Sequence, residues 1–305
     1  MAGPTSLSLR SLTKFYGRAR GVEDISFEVR PGQVMGFLGP NGSGKTTVIR
    51  MLTGLIRITG GEAFLLGEPV RFSNPGARSA VGYLPGSLGL HENLTALQYF
   101  SFLSRVRHRG RSTGSAISRA LEISAMLGLD PGIHIGSMSK GTRQKVGVVQ
   151  AFMHRPSVLI LDEPTSGLDP LVQRAFAELL EGARDEGAAV LLSSHVMHEV
   201  ESIATHVTII LDGRQILVDE MAGLHRRVQR TLILEFDRPV STADFERCPN
   251  VVSVGSDDSL ITCSVVGTET EVLRRAVELG VRTVTSSEPS LEDLFYSVTG
   301  AADAQ

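Results

Sequence analysis

The sequence predicts an α/β fold carrying a helical insertion, followed by a small α+β domain, and three observations predict it. Through the first two thirds of the chain, short β-branched runs alternate with amphipathic segments. Between about Asn93 and His154 the strand pattern gives way to helical spacing. Past about Met221 short strands return, with hairpin and capping signals of their own. The expected division is residues 1–220, with the insertion over about 93–154, and residues 221–305. A chain of 305 residues accommodates two domains at roughly 100–200 residues each.

In the first region the expected strands are Ile25–Val29, Val34–Leu38, Ala63–Leu66, Val81–Leu84, Val158–Leu161, Ala189–Ser193 and Val207–Leu211. Turn residues such as Pro31-Gly32 and Gly60-Gly61 bound several of them. Within the insertion, Leu94, Leu97, Phe100 and Leu103 recur at three-residue steps, and Ile117, Leu121 and Ala125 at four-residue steps, as on helix faces. In the last region, Thr231–Phe236, Val251–Val254, Leu260–Ser264 and Val281–Thr285 read as strands, with a hairpin turn at Gly255–Ser259. A helix starts at Thr268, where Thr268 and Glu271 fit a capping box, and stops at Gly280. With Ala243–Arg247 as a short helix, the order is β-α-β-β-α-β, the split βαβ arrangement of ferredoxin-like domains.

Composition excludes several classes of function. Two cysteines, Cys248 and Cys263, form neither a disulfide framework nor a thiolate zinc cluster. A net charge of −3 is not that of a generally basic nucleic-acid binder, so no nucleic-acid partner is expected. No apolar run approaches the ~18–20 residues of a membrane span, and the N-terminal residues do not read as a secretory signal. Basic residues are nearly all arginine, the lysines being Lys14, Lys45, Lys140 and Lys145.

Gly39-Pro-Asn41-Gly42-Ser-Gly44-Lys45-Thr46 satisfies G-x-x-x-x-G-K-[ST], between the strand Val34–Leu38 and a helix at Thr46–Leu52. Glycines at this spacing let backbone N–H groups turn inward around an anion, and the helix N-terminus adds its dipole. Lys45 is placed to reach the β- and γ-phosphates of a nucleotide, and the Thr46 hydroxyl to ligate Mg²⁺. A second acidic centre, Asp162-Glu163, closes the apolar strand Val158–Leu161. Beside a phosphate loop, Asp162 is expected to hold Mg²⁺, and Glu163 to take a proton from attacking water.

The order of motifs resembles the ATP-binding subunits of ABC transporters over about Ser6 to Asp219. Gly39–Thr47 looks like their Walker A and Val158–Glu163 like their Walker B. Ser166-Gly-Leu-Asp169 is similar to their D-loop, and His195 matches their switch histidine. Ser139-Lys-Gly141-Thr-Arg-Gln-Lys145 occupies the place of their signature sequence. The resemblance implies that Thr47 completes the phosphate loop and that His195 contacts the γ-phosphate. It further implies that Ser139, Gly141 and Asp169 face ATP held by a second ATPase subunit. Tyr16 stands where the family stacks an aromatic ring on adenine; the other reading is a ring packed on the first hairpin.

Two departures from the family pattern stand out. In the signature, Met138 replaces leucine, Lys140 the first glycine and Thr142 glutamine. After Val81-Gly-Tyr-Leu-Pro85, where the family places a metal-contacting glutamine, stands Gly86, followed by Ser87. Either Ser87 or water substitutes there, or nucleotide and partner are coupled differently. The Ser-Lys-Gly signature and the segment Pro289–Phe295 resemble ATPases of ABC-2-type exporters, including antibiotic and multidrug resistance systems; Leu291, Leu294 and Phe295 also fit the packing face of a last helix.

The expectation is an ATP hydrolase driving export through a separate integral membrane subunit, with ATP and Mg²⁺ bound. It would work at the cytoplasmic face of the cell membrane as a peripheral protein, with a second ATPase subunit that is either an identical chain, the favoured case, or a relative. The alternatives are a soluble ABC-type ATPase acting on a non-membrane partner, and a nucleotide-controlled binding module.

Overall fold

The computed structural model describes residues 5–72, 77–108, 114–227, 230–287, 291–292 and 295. The chain divides into two compact units, Met1–Val218 and Asp219–Gln305.

In the first unit, β1 (Leu7–Tyr16) and β2 (Ala19–Val29) pair antiparallel around Gly17, with register shifts that bend the ribbon. β3 (Val34–Leu38) follows, buried at every residue, and leads through the glycine loop into α1 (Lys45–Leu52). β4 (Gly60–Leu65) and β5 (Glu68–Pro69) extend the antiparallel side, and β6 (Val81–Leu84) opens the insertion. The insertion holds α2 (Ala96–His108), α3 (Gly114–Met126) and α4 (Lys140–Phe152). Thereafter come β7 (Val158–Asp162), α5 (Pro170–Asp185), β8 (Ala189–Ser194), α6 (Met197–Glu201), β9 (His206–Leu211) and β10 (Arg214–Glu220).

The ten strands lie in the order β5-β4-β1-β2-β10-β9-β3-β8-β7-β6. β9, β3, β8, β7 and β6 run parallel to one another. Parallel strands covered on both faces are continuous apolar runs, and β3, β7 and β8 are buried throughout. β8 lies between β3 and β7, so their C-terminal ends bring Leu38, Ser193, Ser194 and Asp162 to one edge, where ligands of open α/β sheets bind.

Both expected helical segments of the insertion fall on helices, the first on α2 from Ala96 and the second on α3, but α3 buries a different face from the one its leucine marks. Ala116, Ala120, Ile123 and Leu127 are buried, whereas Leu121 is 41% exposed. Small alanines allow close approach to α4, and the larger leucine remains outside.

In the second unit, α7 (Met221–Arg227) precedes β11 (Arg230–Phe236), α8 (Ala243–Glu246), β12 (Val251–Asp257), β13 (Leu260–Val265), α9 (Thr270–Glu278) and β14 (Val281–Ser287). The sheet order β12-β13-β11-β14, antiparallel at each pairing, is that of a split βαβ domain. Its core joins Leu232, Leu234 and Ile261 to Phe245 of α8 and to Val272 and Ala276 of α9. The hairpin turn is tighter than expected, since β12 runs on to Asp257 and Asp258 makes the turn at φ 52°. The expected capping box does not form. α9 begins at Thr270, the Thr268 hydroxyl accepts from Thr270 N–H at 3.4 Å, and Glu271 pairs with Arg274 instead. Gly280 ends the helix at φ 81°. Leu291 is buried, and Leu294 lies outside the described residues.

Candidate active site

Between β3 and α1 the chain folds through Gly39, Gly42 and Gly44 at φ 157°, 85° and 107°. At two of these, contact as well as conformation demands glycine. A Cβ on Gly39 would lie 2.3 Å from the Ile210 carbonyl oxygen, and one on Gly44 2.3 Å from Val22 Cγ1. Asn41 and Gly42 form the exposed tip, and Gly213 N–H donates to Ser43 O at 3.0 Å, anchoring the loop.

Lys45, the first residue of α1, is 6% exposed. Its Nζ donates to Gly39 O at 2.5 Å and Pro40 O at 3.2 Å, and lies 4.0 Å from Glu163 Oε1. Burial pulls its pKa below the usual 10.5, against the opposing pull of Glu163 and Asp162. Thr46 points its hydroxyl outward to Asp162 Oδ2 at 3.1 Å, while Thr47 is half-buried on the next position of the helix.

Asp162 ends β7 with 1% exposure, and its other oxygen accepts from the Ser193 hydroxyl at 2.6 Å. One residue on, the chain leaves the strand sharply: Glu163 adopts φ 52°, unusual for a side chain of its size. Its N–H is held by Ser193 O at 3.1 Å and Ser193 Oγ at 3.2 Å. Its Oε2 lies 2.8 Å from Nδ1 of half-exposed His195, the contact expected when Nδ1–H donates to a carboxylate. Lys45, Thr46, Asp162, Glu163 and His195 thus meet at one end of the parallel strands.

Gly86 belongs to the same cluster. A Cβ there would stand 3.2 Å from Asp162 Oδ2 and 3.4 Å from its Cγ. The Thr46 hydroxyl and Asp162 carboxylate form an oxygen donor pair suited to a hard cation. Mg²⁺ is typically held by one or two protein oxygens, with water and phosphate oxygens completing its shell. A bare glycine beside Oδ2 leaves space for those ligands.

The remaining expected residues sit elsewhere on the unit. Ser139 is the exposed N-cap of α4, its hydroxyl accepting from Thr142 N–H at 3.2 Å and meeting Thr142 Oγ1 at 2.9 Å. Gly141 abuts the D-loop of its own chain, since a Cβ there would fall 2.5 Å from Gly167 O. Asp169 caps α5, accepting from Val172 N–H at 3.0 Å, with Pro170 as the first helical residue. Tyr16 is 50% exposed, with Lys14 Nζ 5.2 Å from its ring centroid and Gly21 beneath the ring edge.

Three further residues organise this region, Ser193 and Glu199 outside any motif and Gln144 within the signature segment but without an expected role there. Ser193 supports both Asp162 and Glu163. Glu199 of α6 accepts from Thr165 Oγ1 at 2.5 Å and from Gln173 Nε2 at 3.2 Å, joining the loops after β7 and β8. Gln144 of α4 donates to the carbonyls of Glu163 and Pro164.

A glycine-rich loop between strand and helix, facing the acidic end of a parallel strand one place removed in the sheet, defines a P-loop ATPase. The ABC transporter family profile matches residues 22–166. The bacitracin transport ATP-binding protein BcrA of Bacillus licheniformis is 32% identical over 304 residues, covering 97% of this chain and 98% of that protein. A solved ATP-binding subunit of an ABC transporter superposes with a TM-score of 0.68 at 28% identity, covering 73% of this chain and 92% of its own. A cassette solved as a dimer in a post-hydrolysis state with ADP and Pi has a TM-score of 0.65 at 21% identity, covering 70% and 98%. The chain belongs to the ATP-binding subunits of ABC transporters, and it is an ATP hydrolase.

Proposed function

We propose that this chain is the Mg·ATP-hydrolysing motor of an exporter, acting as a homodimer under a separate integral membrane subunit at the cytoplasmic face of the membrane. The observation that carries the reading is the 2.8 Å pair of Glu163 and His195 beside Lys45. The loop amides and Lys45 bind the phosphates. Thr46 and Asp162 hold Mg²⁺, which when bound neutralises phosphate charge. Glu163 accepts the proton of the attacking water, and His195 orients Glu163 and the γ-phosphate. Tyr16, half-exposed, offers its ring to adenine. Ser139, Gly141 and Asp169, committed to α4 and α5 rather than to this cluster, serve the ATP of the other subunit.

Export is supported by the Ser-Lys-Gly signature and by the likeness to BcrA, whose 97% coverage takes in the second unit as well as the cassette. No helix among the described residues is long and apolar enough to cross a membrane, and in this reading the translocation path belongs to the separate membrane subunit. Glu163→Gln is the test. It keeps shape but cannot accept a proton, so turnover should fall about 10²–10⁴-fold while Mg·ATP drives a stable dimer that Ser139→Arg disrupts. Turnover near the native rate would refute the general base, and a monomer at saturating Mg·ATP alongside the membrane subunit would refute the composite site.

A further inference from the structure

Gln144 joins the signature helix to the catalytic carboxylate. It lies five residues beyond Ser139, within α4, and is 5% exposed. Its Nε2 donates to two successive carbonyl oxygens, Glu163 at 3.2 Å and Pro164 at 2.9 Å. A side-chain amide carries two N–H donors, so both bonds can form together. These carbonyls follow the left-handed residue Glu163, a conformation that surrounding structure must impose. β8 holds the N–H side of that residue through Ser193, and α4 holds the carbonyl side through Gln144. The same turn of α4 grips its other neighbours. Arg143 donates to the carbonyls of Ile135 and Gly136 and pairs with Glu92 at 3.2 Å, and Gly141 lies against Gly167 O. A shift of the helix N-terminus is therefore felt at Glu163 through a buried, bidentate contact.

We infer that Gln144 is a positioning residue for Glu163. It holds the left-handed turn that aims the carboxylate, and it carries displacement of the signature end of α4 to this chain's own general base. The inference rests on the roles proposed above for Glu163 and Ser139. A side chain that merely filled space would affect folding, whereas a positioning residue affects the chemical step after nucleotide is bound.

The experiment uses the full chain with Gln144→Met, which keeps length and volume without donors, and Gln144→Glu, which turns acceptors toward the carbonyls. Turnover is measured per folded protein, with the folded fraction read by thermal unfolding and Mg·ATP affinity by calorimetry in the Glu163→Gln background. The expected result is a kcat lowered about 10–100-fold, as for misplacement of a catalytic group by about 1 Å, with KM within about threefold. Combined with Ser139→Ala, the loss should be smaller than the product of the single losses, because both act along one connection. Native kcat in folded Gln144→Met, or a loss residing in KM or in the folded fraction, would overturn the positioning role. Fully multiplicative losses would overturn the transmission from Ser139. Glu163→Gln alone separates the two levels. If that variant is inactive while Gln144→Met is native, only the inference about Gln144 fails; if it turns over normally, the assignment of Glu163 fails.

Discussion

Replacing Lys45 by methionine should leave folding intact and remove about a third to two thirds of the stabilisation by nucleotide. The ammonium is buried, donating to Gly39 O and Pro40 O, and burial lowers its pKa below 10.5. A lowered lysine pKa means that the folded site disfavours the charge relative to water. The penalty is fully present below the lowered folded value and is relieved as pH rises from that value to 10.5. At neutral pH, methionine removes that penalty along with two hydrogen bonds, so the melting temperature without nucleotide should not fall. With ATP the balance reverses. A hydrogen bond from a charged group contributes about 1.5–3 kcal/mol, roughly a tenfold to hundredfold change in Kd. ATP at about 1,000 times Kd stabilises the native protein by about 4.1 kcal/mol, and the variant at the same concentration by about 1.4–2.7 kcal/mol. At about 2–4 °C per kcal/mol for a unit of this size, the ATP shift should drop from about 8–16 °C to about 3–11 °C. Scanning calorimetry with and without Mg·ATP reads both numbers. A variant melting several degrees lower without nucleotide, yet showing the full ATP shift, would refute the reasoning.

Two other glycine positions offer contrasting tests. Gly141→Ala places a Cβ 2.5 Å from Gly167 O, where ordinary contact begins at 3.4 Å. Signature and D-loop must then part by about 0.9 Å, which should cost about 10²-fold in turnover with ATP affinity retained; native turnover would contradict the packing. Gly86→Gln puts its Cβ 3.2 Å from Asp162 Oδ2, a contact relieved by a few tenths of an ångström. Turnover stimulated by the membrane subunit should change while ATP affinity stays within about threefold, because the phosphate loop supplies most of the binding; a large affinity gain with unchanged stimulation would show the opposite.

The readable parts of this protein were those in which chemistry and chain order coincide. Gly39–Thr46 and Val158–Glu163 are consecutive residues, so their spacing announces both the element and the ligand it serves. β1 carries no clear strand pattern, because Arg10 and Lys14 interrupt its apolar run and the register shifts at Leu9/Leu12 and Leu12/Lys14 break the two-residue alternation. β10 alternates between exposed and half-buried positions, too weak a pattern to register. On α3 Leu121 marks the wrong face, because the packed one is Ala116, Ala120 and Ile123. At the capping box, Thr268 and Glu271 found partners two and three residues away in other geometry. Ser193, Gln144 and Glu199 act on groups 19 to 34 residues distant in the chain, often on backbone carbonyls or amides, and a backbone partner leaves no trace in sequence spacing.

The two halves of the proposed composite site differ in how much of their organisation exists within one chain. Lys45, Asp162 and Ser193 are buried and bonded to one another or to the surrounding backbone, so the phosphate and metal half is preorganised and loses little entropy on binding. Ser139 and Asp169 are exposed, and their side-chain oxygens already cap α4 and α5. What they leave for a partner is the N-terminus of α4, with its positive dipole end and free amides, rather than an apolar surface. Attraction of that kind needs an anion to act on. In the proposed dimer the γ-phosphate held by the opposite subunit would supply it, and its release after hydrolysis would remove it. Association driven in this way would follow the nucleotide instead of preceding it, and under the proposed function the power stroke on a membrane subunit would be the closing and opening that results.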